Sequence, residues 1–241
     1  MIANVSTPTR IPTPTPTPAQ APTPAAAERA APRRDALRAM GVFRTLGWWE
    51  GEALLAHLRR LSPIDLNMRF HGAMSAEALA RHAAEPLTAD RNVIGWFKDG
   101  VLRGAAELIL CGDVAEAAFS VEAPFRRMGL GEALMARALR RARNRGAREL
   151  VVHTTRSNRA MMRLAAAFDA RMEAEMNEVE ARIPVPAADA ASVALDAADE
   201  EMGALGAFWA AQGRAALRLW RAPLALAANA AEPGKAAREA A

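Results

Sequence analysis

The stretch that most constrains this chain runs from Val121 to Gly131. It is a turn carrying Arg126, Arg127, Met128, Gly129, Leu130 and Gly131, set between a β-rich run and a helix pattern. Glycines let a backbone approach an anion closely, and the start of a helix offers several N–H donors that have no partner within the helix. The helix dipole adds partial positive charge at the same place. The arrangement predicts a phosphate gripped between the end of a strand and a helix from about Leu130 to Arg145, with Gly146 closing that helix. Eight arginines fall between Arg126 and Arg148, beside this turn. The spacing is not that of a P-loop, which needs Gly-x-x-x-x-Gly-Lys-Ser/Thr. It is not a dinucleotide fingerprint either, because Leu134 stands where the third glycine would fall.

Around this turn the sequence alternates between strand and helix patterns, an α/β (α+β) arrangement. Val42 to Leu46 reads as a first strand. Leu54, Leu55, Leu58 and Leu61 form a helical core stripe. Ser62 with Pro63, and Ser75, mark two further helix starts. Asn92 to Lys98 and Val101 to Leu110 flank Asp99-Gly100, a strong two-residue hairpin signal. Ala115 to Val121 leads into the glycine turn. Glu149 to Thr154 is a strand, Asn158 to Phe168 a helix, and Arg171 to Ile183 two closing strands that turn near Met176. The resulting sheet is mixed and mostly antiparallel, flanked by helices.

The flanks differ in composition. Residues 1–33 are built from Pro, Thr and Ala, with little to form a core, and read as a disordered tail. Residues 34–184 hold the α/β pattern. Residues 185–241 form an Ala-rich helical extension, in which Leu205, Phe208, Trp209, Leu217 and Trp220 face opposite Arg214, Arg218 and Arg221. This basic helix is expected to dock on its own domain, on a partner or on a membrane surface. The net charge of +4 favours polyanionic partners such as a phosphate-rich cofactor. No aromatic-interleaved basic patch, zinc spacing or recognition helix points to a specific nucleic acid. Cys111 is the only cysteine, which excludes an intrachain disulfide and a cysteine-rich metal site. No secretory signal or membrane-length apolar run is visible, so a cytoplasmic chain that needs no metal is expected. A homodimer is left open.

The turn resembles the acetyl-CoA motif of the GNAT N-acetyltransferases, Gln/Arg-x-x-Gly-x-Gly/Ala, with Arg126 first and Gly129 and Gly131 as the glycines. The run from Leu61 to Phe70 is similar to one subgroup that includes protein-lysine acetyltransferases. The resemblance spans about residues 38–183 and implies the GNAT fold, with acetyl-CoA as cosubstrate. It implies that the backbone of Phe119, Ser120 and Val121 pairs with the pantetheine arm. Amides from Arg126 to Gly131 would hold the pyrophosphate, and Asn158 would contact the CoA arm while also suiting a helix N-cap. The arginines of the following helix could meet the adenosine 3′-phosphate, but most are expected to form a solvated face.

Direct acyl transfer needs a base to deprotonate the attacking amine and a donor for the developing oxyanion. Glu116 is the first candidate base, since the similar subgroup carries Glu there, and Glu107 is the second. Val121 is the candidate oxyanion donor. His153 is expected to be an ordinary hydrogen-bonded histidine, and Cys111 a small buried hydrophobe. Two features depart from the family pattern. Ala165 stands where many members carry an acid tyrosine, and Asp169-Ala170 replaces the usual Gly-Phe. The expected activity is acetyl transfer to a primary amine, on a protein lysine or a small molecule. The alternative is a degenerate domain that binds acyl-CoA as a sensor or scaffold.

Overall fold

The computed structural model describes residue 37, residues 39–205 and residue 212. The 1–33 segment and the stretch through Phe208, Trp209, Leu217 and Trp220, with Arg214, Arg218 and Arg221, lie outside the described residues. The elements run β1 (Val42–Thr45), α1 (Gly51–Arg59), α2 (Pro63–Phe70), α3 (Ala76–Ala84), β2 (Arg91–Lys98), β3 (Val101–Cys111) and β4 (Val114–Val121). A 3₁₀ turn (Ala123–Phe125) follows, then α4 (Leu130–Asn144), β5 (Glu149–Thr155), α5 (Arg159–Ala166), β6 (Arg171–Glu175) and β7 (Glu178–Pro184).

Local chemistry sets the boundaries. Asp99 and Gly100 have φ of 52° and 74°, the two left-handed residues a tight hairpin requires. Ser62 and Ser75 cap α2 and α3 by accepting from the amides of Asp65 and Ala78. Gly146, at φ 85°, ends α4 in a left-handed turn.

The seven strands lie in the order β1-β2-β3-β4-β5-β7-β6. All pairs are antiparallel except β4 with β5. One face packs on α4 and α5 through Leu130, Leu134, Met135 and Ala165 against Ala106, Leu108, Ala117 and Leu150. On the other face α1 and α3 cover Val93, Phe97, Leu102 and Ala105, while α2 reaches across β4 and β5. That second face is bare at the β7–β6 end, where only alternate residues of β7 are buried and β6 is almost wholly exposed.

Residues 190–205 are helical and lie against α4 and β1. Arg140 binds Asp199 and Arg141 binds Glu200. Arg141 also meets Asp196 at 2.8 Å, and Arg143 meets Asp189 at 2.6 Å. Arg137 stacks on Phe43, its guanidinium carbon 3.7 Å from the ring centre. The α4 arginines are therefore not the solvated face expected from sequence, because a carboxylate-bearing segment downstream neutralises them. Cys111 also departs from expectation: it is exposed, since β3 ends there and its neighbour Gly112 turns the chain back.

Candidate active site

β4 pairs with β5 only through Val114–Glu149, Ala115–Leu150 and Glu116–Val151. Beyond Glu116 the two strands part, although β4 continues to Val121 and β5 to Thr155. Phe119, Ser120 and Val121 pair with Ala106, Ala105 and Gly104 of β3 on one side. On the other side β5 leaves their backbone edge uncovered, and unpaired strand edges take up further hydrogen-bonding partners.

The parted strands lead into the glycine loop. Phe125 and Arg126 amides bond back to Glu122 and Ala123 at 2.9 and 3.3 Å. Arg127 (φ 62°) and Gly129 (φ 84°) are both left-handed, the first unusual for a residue with a side chain. Gly129 is the N-cap of α4 and gives no side-chain cap, and among the described residues no side chain bonds the first amides, Leu130 and Gly131 among them. A Cβ placed on Gly131 would meet only Leu164 Cδ2, at 3.5 Å. No internal contact demands glycine there, and a side chain would take up space beside the helix start that the fold leaves open. Uncapped donors behind an open approach fit a pyrophosphate. Arg126 donates from Nε to the Val121 carbonyl at 2.9 Å and from Nη2 to Asp65 at 2.8 Å. Asp65 belongs to the run that resembled the lysine-acetyltransferase subgroup, and α2 is thereby tied to the loop. Asn158 caps α5, its Oδ1 accepting from Met161 N at 3.1 Å.

Glu116 is the last residue of β4 that pairs with β5. It points away from Ala115 and Ala117, which are buried under α4, and is exposed on the opposite face. No ion-pair partner faces it among the described residues. Glu107 also lies on that face, but it is buried. Its carboxylate accepts from Arg69 Nη2 and His82 Nε2, each at 2.7 Å, with Arg91 at 3.7 Å. Burial alone would raise its pKa, but Arg69 and His82 outweigh this and hold it at about 2. The structure does not bring the two glutamates into one solvent-facing pair. His153 is exposed, 4.0 Å from Glu180. Ala165 is fully buried in the core beside β5.

The sequence reading passed over a second buried polar group. His57, fully buried, bridges Ser120 and Glu122, and Arg60 and Arg103 also bind Glu122. Together they hold the Glu122 carboxyl at about 2, against the burial that would raise it. Position 57 lies inside the apolar stripe of α1, three residues after Leu54 and four before Leu61. A polar residue on a core face was the signal.

Residues 55–169 match the Acetyltransferase (GNAT) family. No curated protein sequence matches the chain. Among solved structures, the GNAT domain of PAT from S. lividans is similar at 20% identity and TM-score 0.53, over 59% of this chain and 89% of that one. An N-acetyltransferase from Staphylococcus aureus Mu50 follows at 15% identity and TM-score 0.51, over 61% and 99%. The ribosomal-protein-S18-alanine N-acetyltransferase of Escherichia coli gives 16% and 0.50, over 63% and 97%. These identities speak for the fold. The family match spans the later part of α1, the parted strands and the glycine loop, and over residues 55–169 the chain carries the sequence pattern and the fold of the GNAT acetyltransferases.

Proposed function

We propose that the chain moves an acetyl group from acetyl-CoA to the primary amine of a protein lysine or a small cationic molecule, by direct attack. The observation that carries this is the parting of β4 from β5 at Glu116, with the uncapped start of α4 at its far end. When bound, acetyl-CoA supplies a thioester already activated for attack. In this reading the amides from Arg126 to Gly131 bind its pyrophosphate, and the free edge at Phe119, Ser120 and Val121 aligns its pantetheine arm. Asn158 contacts that arm as well. Glu116 takes the proton of the incoming amine, directly or through water. The Val121 amide is assigned to the developing oxyanion. Glu107, clamped by two arginines and a histidine, is a poor proton acceptor near neutral pH. We assign it to holding α2 and α3 on the sheet.

The acceptor side is acidic. Cross-strand pairing puts Glu173 opposite Glu180 and Glu175 opposite Glu178, on the bare face that Glu116 shares. Arg182 partly offsets Glu180. Glu173, Glu175 and Glu178 have no ion-pair partner among the described residues. A cationic amine complements such a surface. No helix among the described residues is long and apolar enough to cross a membrane, and we place the activity in the cytoplasm, where a lone cysteine stays reduced.

Ala165 favours a second reading, a domain that binds acyl-CoA without turning it over, since no tyrosine exists to protonate the leaving thiolate. A thiolate leaves readily, so the first reading stands ahead. Calorimetric titration with acetyl-CoA, using Gly131→Glu as control, separates the possibilities. Binding that the added carboxylate abolishes, with acetylation of polyamines or lysine peptides that drops at least about a hundredfold in Glu116→Gln, is the expected outcome. Binding without turnover of any amine would select the scaffold reading. No binding by the wild type would remove both.

A further inference from the structure

The stretch of β4 assigned to the pantetheine arm has a strand partner on one side only, because its pairing with β5 stops at Glu116. Its remaining partner, β3, is itself irregular there. Leu102 and Gly104 pair with the adjacent residues Phe97 and Trp96, which leaves Arg103 as the extra residue of a β-bulge. Bulges re-aim side chains and open the ladder locally. Here the Arg103 carbonyl accepts from the Glu122 amide at 3.0 Å, and its Nη1 donates to Glu122 Oε2 at 2.9 Å.

α1 completes the fixture. Arg60 donates to Glu122 Oε1 at 2.8 Å and to the Leu102 carbonyl at 2.7 Å. His57 sits between alternate residues of the strand end, Nε2 at 2.8 Å from Ser120 Oγ and Nδ1 at 3.1 Å from Glu122 Oε1. An ionised Glu122 can only accept, so Nδ1 carries a proton toward it, and Nε2 shares its hydrogen bond with the Ser120 hydroxyl, which can donate or accept. Every bond of the cluster lands on the end of β4, on its exit into the phosphate loop, or on the bulge beside it. A buried polar cluster is costly unless fully satisfied, and this one is spent where the backbone has lost a neighbouring strand.

We infer that His57 is a positioning residue of the cofactor site: by tying Ser120 and Glu122 to α1, it sets the free edge of β4 at the spacing the acyl-CoA arm requires. The inference rests on the acetyl-CoA reading above. It separates two parts of the cofactor. The adenosine 3′-phosphate 5′-diphosphate portion would be held by the loop and the start of α4, whereas the pantetheine arm would be held by the edge that His57 sets.

The test is calorimetric titration of the wild type, His57→Gln and Ser120→Ala with CoA and, separately, with adenosine 3′-phosphate 5′-diphosphate. Both variants should bind CoA about three- to tenfold more weakly, the effect of one hydrogen bond, while binding the fragment within about twofold of wild type. Equal weakening toward both ligands would reduce His57 to a general fold contact. Unchanged CoA affinity in both variants would overturn the inference and leave the cofactor site standing. Failure of the wild type to bind either ligand would remove the cofactor reading and this inference together. Should His57→Gln not fold, Ser120→Ala deletes a single hydroxyl and carries the test alone.

Discussion

At the scale of single residues, the second face of the sheet contains two carboxylates with opposite fates. Glu116 stands exposed at the point where β4 and β5 part, while Glu107, nine residues earlier, is locked among Arg69, His82 and Arg91. The lock makes stability depend on acid. Glu107 titrates near 2 in the fold and near 4.5 when unfolded, so its contribution is full above about pH 4.5 and is lost as pH falls toward 2. A depression of that size corresponds to something on the order of 3 kcal/mol. Glu107→Gln should therefore lower stability at pH 7 by about 2–4 kcal/mol, leaving Arg69 short of its counter-charge. It should also reduce the loss between pH 4.5 and 2, where Glu122, Glu50 and Asp65 are among the carboxylates that still add slope in the same direction. Urea titrations across that range would reveal it. An unchanged slope would mean the carboxylate is not held as the geometry implies. None of this could be read from sequence, because a strand glutamate looks the same whether an arginine and a histidine from distant helices meet it or water does.

At the scale of elements, the legible parts were those whose chemistry is local. The Asp99-Gly100 hairpin, the Ser62, Ser75 and Asn158 caps, the Gly146 stop and the glycine loop each follow from residues within a turn of one another. The β6–β7 hairpin was legible as two strands, but its pairing was not. Register sets Arg171 opposite Arg182, Glu173 opposite Glu180 and Glu175 opposite Glu178. Like charges directly across a ladder cost stability, and elements that break a local rule without internal compensation are where function is expected. Replacing Glu173 and Glu175 together by Gln should thus stabilise the fold by roughly 0.2–1 kcal/mol. The same change should raise KM for a polyamine or lysine-rich peptide severalfold, with kcat nearly unchanged. Denaturation midpoints and initial rates would check both halves. An unaltered KM would take the acidic hairpin out of acceptor binding.

At the scale of the whole molecule, the domain is closed by a segment from beyond its last strand. Residues 190–205 lay Asp196, Asp199 and Glu200 on Arg137, Arg140 and Arg141, and Glu200 also reaches Thr45 at the outer strand. The sequence showed a row of arginines and, 59 residues on from Arg140 and Arg141, their carboxylate partners. What it could not show was that α4 brings the two together, which depends on the chain returning past β7. The seat is tight at Gly203, where a Cβ would stand 2.6 Å from the Phe43 carbonyl and from Arg44 Cβ. Backbone cannot yield as a flexible side chain can, so Gly203→Leu must lift the helix off β1 and weaken the ion pairs behind it. Overpacking of this kind costs about 1–3 kcal/mol, which for a chain of this size lowers Tm by about 2–10 °C. The clasp grips the part of α4 remote from Gly129 and Gly131, so acetyl-CoA affinity should stay within about twofold of wild type. Calorimetric unfolding and titration of the same variant read the two effects separately. A Tm equal to wild type would mean residues 190–205 do not rest on β1. A Tm loss matched by loss of acetyl-CoA binding would instead make the clasp part of the cofactor site, reaching it through the length of α4.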